Sequence, residues 1–359
     1  MSSRLRSCTA ALLAIALYAC ASTHEPAVLH FGIEDAPEGR NLLWPAPPEV
    51  PRLQYAGQLV GETNFRSAST TRKHSATSFL RWVVGLDEHS SKPVVLQRPQ
   101  SGMVDTRNRI LVTDASRQAV FVFDSVAGEL HVWDRASAAK GFVAPVGIAS
   151  GRNEEVLVAD AELAQVVRLD AQGKPIGSIG KGVLQRPTGL ARDGERGVIY
   201  VADTRAHDVK LFNDDGGLMG TLGRRGTAEG EFNAPTHLAF SNGLLYVTDS
   251  LNNRVQVFER DQALPLRRIG KRGLYLGNLV RPKGVAADSE GNVYVVEGYY
   301  DYLLVYNNGG QFLMPIGGTG QATGNFFLPA GVWSDANNRI FVADMFNGRV
   351  VIFQFLGGG

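Results

Sequence analysis

The stretch PTHLAFSNGLLYVTDSLNNRVQVF, residues 235–258, decides the fold because other parts of the chain copy it. Within it, residues 243–248 have the β-branched and aromatic bias of a buried strand. Residues 249–253 form a polar turn, and residues 254–258 alternate between polar and apolar with period two. The stretch therefore predicts a β-hairpin.

Five further copies of this hairpin occur, at residues 108–123, 154–169, 197–212, 291–306 and 338–353. An acidic residue closes the first strand of each copy: Asp114, Asp160, Asp203, Asp249, Glu297 and Asp344. A proline precedes each copy at a similar spacing: Pro99, Pro145, Pro187, Pro235, Pro282 and Pro329. The acidic residues are 43 to 48 positions apart, and a period in the forties with about four strands per unit is typical of propeller blades. We predict an all-β, six-bladed β-propeller with four-stranded blades.

The N-terminal part of the repeat region is expected to close the ring. Residues 52–61 resemble the strands that follow the earlier hairpins, whereas the sixth copy has no such strand after it. We therefore expect residues 52–61 to complete the last blade, which leaves no open sheet edge. Residues 62–98 are an insertion in which residues 78–86 could form a short amphipathic helix. Its apolar side either has a function or packs on the ring.

The first 51 residues have the features of an export signal and a tether. Arg4 and Arg6 precede an apolar run, residues 10–19, that is too short to span a bilayer. The run ends in LYAC at residues 17–20, which resembles a bacterial lipobox. That resemblance implies removal of residues 1–19 and lipidation of Cys20. The alternative is a plain secretory signal in which Cys20 is incidental.

The residues after the cysteine refine this expectation. Ala21 and Ser22 follow Cys20, which by resemblance favours the outer membrane, facing the periplasm. Residues 20–51 are rich in proline and predict a semi-extended tether, although Leu42, Leu43 and Trp44 could dock on the propeller. The only other cysteine is Cys8, so the repeat region can form no internal disulfide. The formal charge of +1 identifies no partner.

The repeat pattern resembles a known family. Its consensus is proline, glycine and an apolar strand, then a GN-V/I-Y-V-A-D strand, then N-x-R-V-x-V-F. DSLNNRVQVF at residues 249–258 and DMFNGRVVIF at residues 344–353 match best. This is similar to the NHL repeat, over about residues 52–355, and the chain resembles the lipid-anchored six-bladed NHL proteins of bacteria. The resemblance implies the fold but assigns no activity, because propellers host enzymes and scaffolds alike.

Strand order predicts a basic upper face. The hairpin turns, the loops that join consecutive blades and the insertion should lie together on one face of the ring, which we call the upper face. Its basic residues are Lys140, Lys181, Arg186, Arg224, Arg225, Lys271, Arg272 and Arg281 in the joining loops, with Arg66, Arg72, Lys73 and Arg81 in the insertion. They are either a solvated surface or a binding site for an anionic partner. An exported protein rarely meets nucleic acid, so we expect a phosphorylated lipid, a polysaccharide or an acidic envelope protein.

Two further groups on this face are candidate sites. Tyr299, Tyr300 and Tyr302 replace the usual turn residues of the fifth copy and, with Tyr275, could form an aromatic binding patch or pack on the neighbouring blade. Thr236, His237 and Lys283 follow prolines at the start of inner strands and could meet at the channel mouth. A hydrogen-bonded wall position is the alternative for His237. The recurring acidic residues are expected to cap turns rather than bind metal.

The choice between enzyme and binding protein favours binding. Some six-bladed relatives are zinc lyases acting on α-hydroxyglycine peptides and others are calcium-dependent lactonases, and a zinc site needs three protein ligands. Only His237 among the histidines lies at the start of an inner strand. No catalytic triad, phosphate loop or cysteine nucleophile is evident. We therefore expect a monomeric binding or scaffold lipoprotein without catalytic residues or cofactor. The alternative is a zinc- or calcium-dependent lyase or hydrolase with its site in the channel.

Overall fold

The structure is a computed structural model that describes residues 27–33, 42–66 and 93–357. The predicted signal peptide, Cys20, the helix at residues 78–86 and the basic residues Arg72, Lys73 and Arg81 lie outside these residues. The described residues form an all-β ring of six blades, as the repeat predicts. Within them, no helix is long and apolar enough to cross a bilayer.

Strands are numbered in chain order. Four short or closing strands precede the first blade: β1 (Val28–Leu29), β2 (Leu43–Trp44), β3 (Leu53–Leu59) and β4 (Phe65–Arg66). Each of the next five blades takes four consecutive strands, which run in order from the channel outward. Blade 1 contains β5 (Pro99–Val104), β6 (Ile110–Asp114), β7 (Ala119–Asp124) and β8 (Glu129–Trp133). Blade 2 contains β9 (Pro145–Ser150), β10 (Val156–Asp160), β11 (Gln165–Leu169) and β12 (Pro175–Ile179).

The remaining blades follow the same order. Blade 3 contains β13 (Pro187–Asp193), β14 (Val198–Asp203), β15 (Asp208–Asn213) and β16 (Leu218–Leu222). Blade 4 contains β17 (Pro235–Ser241), β18 (Leu244–Asp249), β19 (Arg254–Glu259) and β20 (Arg267–Ile269). Blade 5 contains β21 (Pro282–Ala287), β22 (Val293–Glu297), β23 (Tyr302–Tyr306) and β24 (Phe312–Gly317). Blade 6 contains β25 (Val332–Ser334), β26 (Arg339–Asp344) and β27 (Arg349–Phe355). Short 3-10 turns span Glu62–Asn64, Ser250–Asn252 and Met345–Asn347.

The N-terminal strand β3 closes the ring. It pairs antiparallel with β27, from Val350 opposite Leu59 to Phe355 opposite Leu53. This supplies the fourth strand of blade 6 from the other end of the repeat region, as expected. β2 then pairs with β3 and adds a fifth strand to the blade.

The described residues ahead of β3 also lie against the ring. The Trp44 ring contacts that of Phe353 edge-on with centroids 5.3 Å apart, so the expected docking of Trp44 is present. β1 pairs with β4, and the amide of Gln58 donates to the carbonyl of Phe31 over 2.7 Å. These parts of the segment predicted as a tether are therefore held by β-pairing and packing, which a proline count does not reveal.

The register of the inner strands brings the functional candidates to one end of the ring. The first proline of the inner strand faces the last acidic residue of the second strand, as in Pro187 opposite Asp203 and Pro235 opposite Asp249. One or two residues of the inner strand after this proline have no partner in the second strand. Each of these inner strands therefore begins with a β-bulge. Prolines, hairpin turns and joining loops consequently share the upper face.

The core lies between neighbouring blades. The second strands, such as β10 and β22, are buried at every position because a blade covers each of their sides. Phenylalanines of the joining loops add to this packing, as where Phe232 contacts Phe258 with ring centroids 5.9 Å apart. Blade-to-blade packing therefore fixes where each upper-face loop begins and ends.

Candidate functional site on the upper face and at the channel mouth

The acidic residues at the strand ends hold the upper-face loops together. In blade 1, one oxygen of Asp114 accepts the amides of Ser116 and Arg117 in the hairpin turn, at 3.0 and 2.9 Å. The other accepts the amides of Gln97 and Arg98 ahead of the inner strand, at 2.6 and 2.9 Å. The carboxylate thus caps the turn and also ties it to the preceding loop.

Blades 4 and 6 extend this arrangement with an arginine. Nε of Arg254 donates to Asp249 over 2.8 Å, and its Nη2 donates to the carbonyls of Ala228 and Glu231 over 2.7 and 2.8 Å. Arg349 makes the same contact with Asp344 in blade 6. The asparagine and arginine of the repeat signature are therefore architectural. Within the described residues, no three His, Cys, Asp or Glu side chains are placed to hold a metal ion.

Three joining loops have equivalent backbone bridges. The bridges pair Arg225 with Phe232, Arg272 with Leu279 and Thr319 with Phe326. Their tips, each framed by two glycines, read Thr-Ala-Glu at residues 227–229, Leu-Tyr-Leu at 274–276 and Gln-Ala-Thr at 321–323. The side chains of Leu274, Tyr275 and Leu276 are 76 %, 85 % and 56 % exposed. The loop between blades 4 and 5 therefore presents apolar residues where its equivalents present small or polar ones.

Leu274 and Leu276 were missed by the sequence reasoning, which selected Lys271, Arg272 and Tyr275 from this loop. The available signal was an internal comparison of GTAEG, GLYLG and GQATG at residues 226–230, 273–277 and 320–324. Since a polar tip suffices for two loops of this kind, the apolar tip of the third is not required by the fold.

The tyrosines of the fifth hairpin do not form a single patch. Tyr299 is 56 % exposed and contacts Tyr300 edge-on, with ring centroids 4.8 Å apart. Tyr302 is half-buried against the core between blades 4 and 5. Tyr275 lies on the separate joining loop. Tyr299 and Tyr275 thus offer exposed rings on the upper face, whereas Tyr302 serves packing.

Those of the predicted basic residues that the structure describes lie on the upper face and are mostly exposed. Arg224 pairs with Glu231 over 3.0 Å, with the arginine side chain 82 % exposed. Arg225, Lys271 and Arg272 are exposed and form no ion pair with another residue in the part of the chain that the structure describes. The loop that carries the Leu-Tyr-Leu tip therefore has two uncompensated cations at its base.

Thr236, His237 and Lys283 lie at the upper end of the channel. The hydroxyl of Thr236 is 2.7 Å from that of Ser250. Both ring nitrogens of His237 are shielded from solvent and have no hydrogen-bond partner among the described residues. The hydrogen-bonded wall position that was the alternative for His237 is therefore not seen among the described residues. Burial, and then the charge of Lys283, lowers the pKa of His237 to about 3, so the ring is neutral at pH 7.

A cavity of about 270 Å³ occupies the channel below this point. Its walls are mainly small and aliphatic, with Met103, Ile148, Leu190, Val285 and Val332 among them. Serines and Arg192 add polar groups, and Arg192 is held by Asp214 over 2.6 Å. The cavity therefore offers polar as well as apolar contacts to a compact ligand.

Comparisons with known proteins agree with the repeat. The NHL repeat family model matches residues 232–258, in blade 4. Over 140 residues the chain is 25 % identical to Protein brain tumor of Drosophila melanogaster, a match covering 38 % of this chain and 13 % of that protein. The chain thus spans a small part of this relative's length.

Solved structures share the fold at low identity. A Bacteroides thetaiotaomicron protein of unknown function has a TM-score of 0.56 and 16 % identity, over 72 % of this chain and 70 % of its own. A gluconolactonase from Xanthomonas campestris has a TM-score of 0.55 and 16 % identity, over 73 % and 89 %. A catalytically inactive virginiamycin B lyase from Staphylococcus aureus has a TM-score of 0.54 and 12 % identity, over 75 % and 86 %. The repeat match and the ring of six blades together identify the chain as an NHL-repeat β-propeller.

Proposed function

We propose that this protein is an exported, lipid-anchored propeller that binds an envelope protein through its upper face. The observation that carries the proposal is the exposed Leu-Tyr-Leu tip at residues 274–276. Contiguous exposed apolar groups on a soluble domain commonly mark an interaction site. Tyrosine also supplies contact area at low entropic cost.

Charge around the tip suggests the character of the partner. Lys271 and Arg272 are exposed at the base of the same loop, and Arg281 is exposed where the loop reaches the inner strand. A partner with an apolar contact surrounded by acidic residues would match this arrangement. An acidic envelope protein therefore fits better than a purely anionic glycan, which would leave both leucines in water.

The loop is tested by exchanging its tip for that of an equivalent loop. Full-length protein with Leu274→Gln, Tyr275→Ala and Leu276→Thr carries the Gln-Ala-Thr tip that residues 321–323 already present. Removing central apolar contacts of an interface commonly costs about 2 kcal/mol or more, roughly thirtyfold in affinity. We expect quantitative affinity capture from envelope extracts to lose its specific partner with this variant.

A matched control exchanges the tip of a neighbouring loop. Thr227→Gln with Glu229→Thr gives residues 227–229 the same Gln-Ala-Thr tip and should leave the captured partner unchanged. Reversing the charges of Lys271 and Arg272 tests the basic contribution separately, and slower association is expected. An identical set of captured proteins with the Leu-Tyr-Leu exchange and the wild type would refute the proposal.

Anchoring is tested at the predicted lipidation site. The motif LYAC at residues 17–20 follows a short apolar run and two arginines. We expect wild-type protein to incorporate radiolabelled palmitate and to sediment with outer membranes. The Cys20→Ser variant should incorporate no label and leave the membrane fraction. Labelling that persists in the variant would contradict anchoring through Cys20.

The alternative is a metal-dependent lyase or hydrolase in the channel. The fold is shared with proteins named as a lyase and a gluconolactonase, and the channel has a cavity with the unpartnered His237 near its upper end. Metal analysis of the purified protein separates the two functions. Stoichiometric zinc or calcium, removed by chelation together with a lyase or lactonase activity, would favour the enzyme.

A further inference from the structure

Blade 2 lacks the arginine that connects the hairpin turn to the preceding joining loop in blades 4 and 6. In those blades the strand-end acid pairs in register with Arg254 and Arg349. Each arginine donates to two carbonyls of the joining loop before its blade. The same register position of blade 2, opposite Asp160, is Gln165, whose side chain forms no hydrogen bond with another described residue. In blade 2, therefore, no guanidinium group crosses the space between turn and loop.

A cavity of about 400 Å³ lies between these two elements of blade 2. Its walls come from the joining loop between blades 1 and 2, from the hairpin turn and the start of β11, and from the outer strand β12. Gln165, Ser137 and Ser178 supply polar groups, while alanine, leucine and proline side chains supply the apolar part. The cavity therefore suits a compact molecule with many polar groups, such as a polyol.

Two lysines also line this cavity, Lys140 from the joining loop before blade 2 and Lys181 from the loop after it. Neither ammonium group forms an ion pair or a hydrogen bond with another described residue. Among the described residues, no aspartate or glutamate lines the cavity. Glu162, in the adjoining turn, is already paired with Arg186 over 2.6 Å. The wall thus carries two positive charges without a negative charge to compensate them.

Hydrogen-bond donors accompany these charges. The hydroxyl oxygen of Ser137 accepts from the amide of Lys140 over 3.0 Å, so its own hydrogen remains available to donate. The side chains of Gln165 and Ser178 form no hydrogen bond within the part of the chain that the structure describes. Phosphate oxygens accept bonds from such groups, and lysine is a common phosphate ligand. A phosphate monoester carries about −1.5 to −2 charges at pH 7, which matches two lysines better than one carboxylate does.

We propose that this cavity binds a phosphate monoester of a small polyol, whose phosphate contacts Lys140 and Lys181. The two unpaired lysines in the wall of one cavity carry this assignment. The polyol part would bond to Ser137, Gln165 and Ser178. A soluble sugar phosphate and the headgroup of a phosphorylated lipid share this chemistry. The site lies between blades 1 and 2, whereas residues 274–276 lie between blades 4 and 5, so it does not depend on protein binding there.

Calorimetric titration of the full-length protein at pH 7.5 and low ionic strength tests the site with glucose 6-phosphate, glucose, inorganic phosphate and a water-soluble short-chain phosphatidic acid. We expect glucose 6-phosphate to bind about tenfold or more tightly than glucose, which lacks the charge. It should also bind more tightly than inorganic phosphate, which lacks the polyol. The short-chain phosphatidic acid distinguishes the sources: tighter binding than glucose 6-phosphate indicates a lipid headgroup, and weaker binding indicates a soluble ester.

Charge-removing variants locate the binding. Lys140→Gln and Lys181→Gln should each lose about tenfold in affinity for glucose 6-phosphate, since each removes a charge-assisted hydrogen bond. Both lysines are exposed, so the variants should keep the wild-type fold, which circular dichroism checks. Lys174→Gln is the matched control, because it removes an exposed lysine of the same blade that does not line the cavity. Its affinity should equal that of the wild type.

Several results would overturn the proposal. These are unchanged affinity for glucose 6-phosphate in Lys140→Gln or Lys181→Gln, an equal loss in Lys174→Gln, inorganic phosphate binding as tightly as the esters, and binding of neither ester. The outcome for the Leu-Tyr-Leu exchange has no bearing on these titrations, so this site and the proposed protein interface can fail separately.

Discussion

His237 shows most clearly how one residue departs from the repeat. Blades 2, 3, 5 and 6 have a glycine two residues after the proline, where a Cβ would lie within 2.8 Å of an atom in the next blade. Blade 4 has an imidazole there, with both nitrogens buried and without a partner among the described residues. A neutral ring is tolerated in this place far better than a charged one, because an unpaired buried charge has a high desolvation cost.

This predicts a pH-dependent loss of stability. The folded-state pKa of His237 is about 3, against 6.5 for the unfolded chain. Below pH 6.5 the unfolded state therefore binds a proton that the folded state does not, and stability falls as the pH falls towards 3. Between pH 7 and pH 5 this single residue should remove up to about 2 kcal/mol.

Urea denaturation at pH 7 and pH 5 measures the effect. Comparison of the wild type with His237→Gln isolates it, because glutamine does not titrate. His131→Gln is the matched control, since that imidazole is in an outer strand and its side chain is 39 % exposed. A wild type and a His237→Gln variant that lose equal stability on acidification would show that His237 is not the responsible group.

At the scale of elements, hydrogen bonds and ion pairs of charged side chains connect each hairpin turn to the joining loop beside it. Arg254 satisfies Asp249 and two carbonyls of the preceding loop from a position that is almost entirely buried. Removing one partner of such a pair leaves a buried charge without compensation, which is strongly destabilising. The network also positions the loops on which the proposed binding surface depends.

Arg254→Met should therefore lower the free energy of unfolding by about 3 kcal/mol or more. The control is Arg196→Met, which removes an arginine that pairs with Asp261 and whose side chain is 44 % exposed. Such exposed pairs contribute little to stability, because solvent screens them. Denaturant titration of both variants compares the two sites, and equal destabilisation would contradict the assigned role of Arg254.

The sequence predicts the regular elements better than the irregular ones. Period-two strands and the recurring acidic residues are visible in the sequence because each blade repeats them. Comparison of the six copies also shows that the last copy lacks a fourth strand after its hairpin. β1 and β2, in contrast, are two residues long, too short to have any period. The proline content of residues 20–51 therefore gave no sign of these strands, because β-pairing to distant residues overrides local composition.

The candidate sites were predicted only in part for a related reason. Position in the repeat placed Lys283 and His237 at the channel mouth, but it does not reveal whether a side chain has a partner. The solvent exposure of a side chain cannot be predicted from the sequence of a single loop either. Leu274 and Leu276 therefore could not be distinguished from apolar residues of the core. Their significance follows only from a fold that gives three loops equivalent bridges and exposes all three tips.

At the scale of the whole molecule, ring closure joins the two ends of the repeat region. Ion pairs between blades, such as Arg107 with Glu154 and Arg152 with Asp215, involve side chains that are at least 40 % exposed. They contribute little individually. By contrast, β3 covers β27, in which five residues from Arg349 to Phe353 are buried. Stability of the closed ring should therefore depend far more on β3 than on these ion pairs.

Two shortened chains test this dependence. A chain beginning at residue 52 keeps β3 but lacks β1 and β2, and it should remain folded and monomeric with a lower denaturation midpoint. A chain beginning at residue 62 leaves the edge of β27 unpaired, and such edges promote association between molecules. It should elute from a sizing column as aggregates. A synthetic peptide of residues 52–61 should restore the monomer, because β3 contributes its contacts as a separable strand. A chain beginning at residue 62 that is monomeric and as stable as the one beginning at 52 would show that closure by β3 is dispensable.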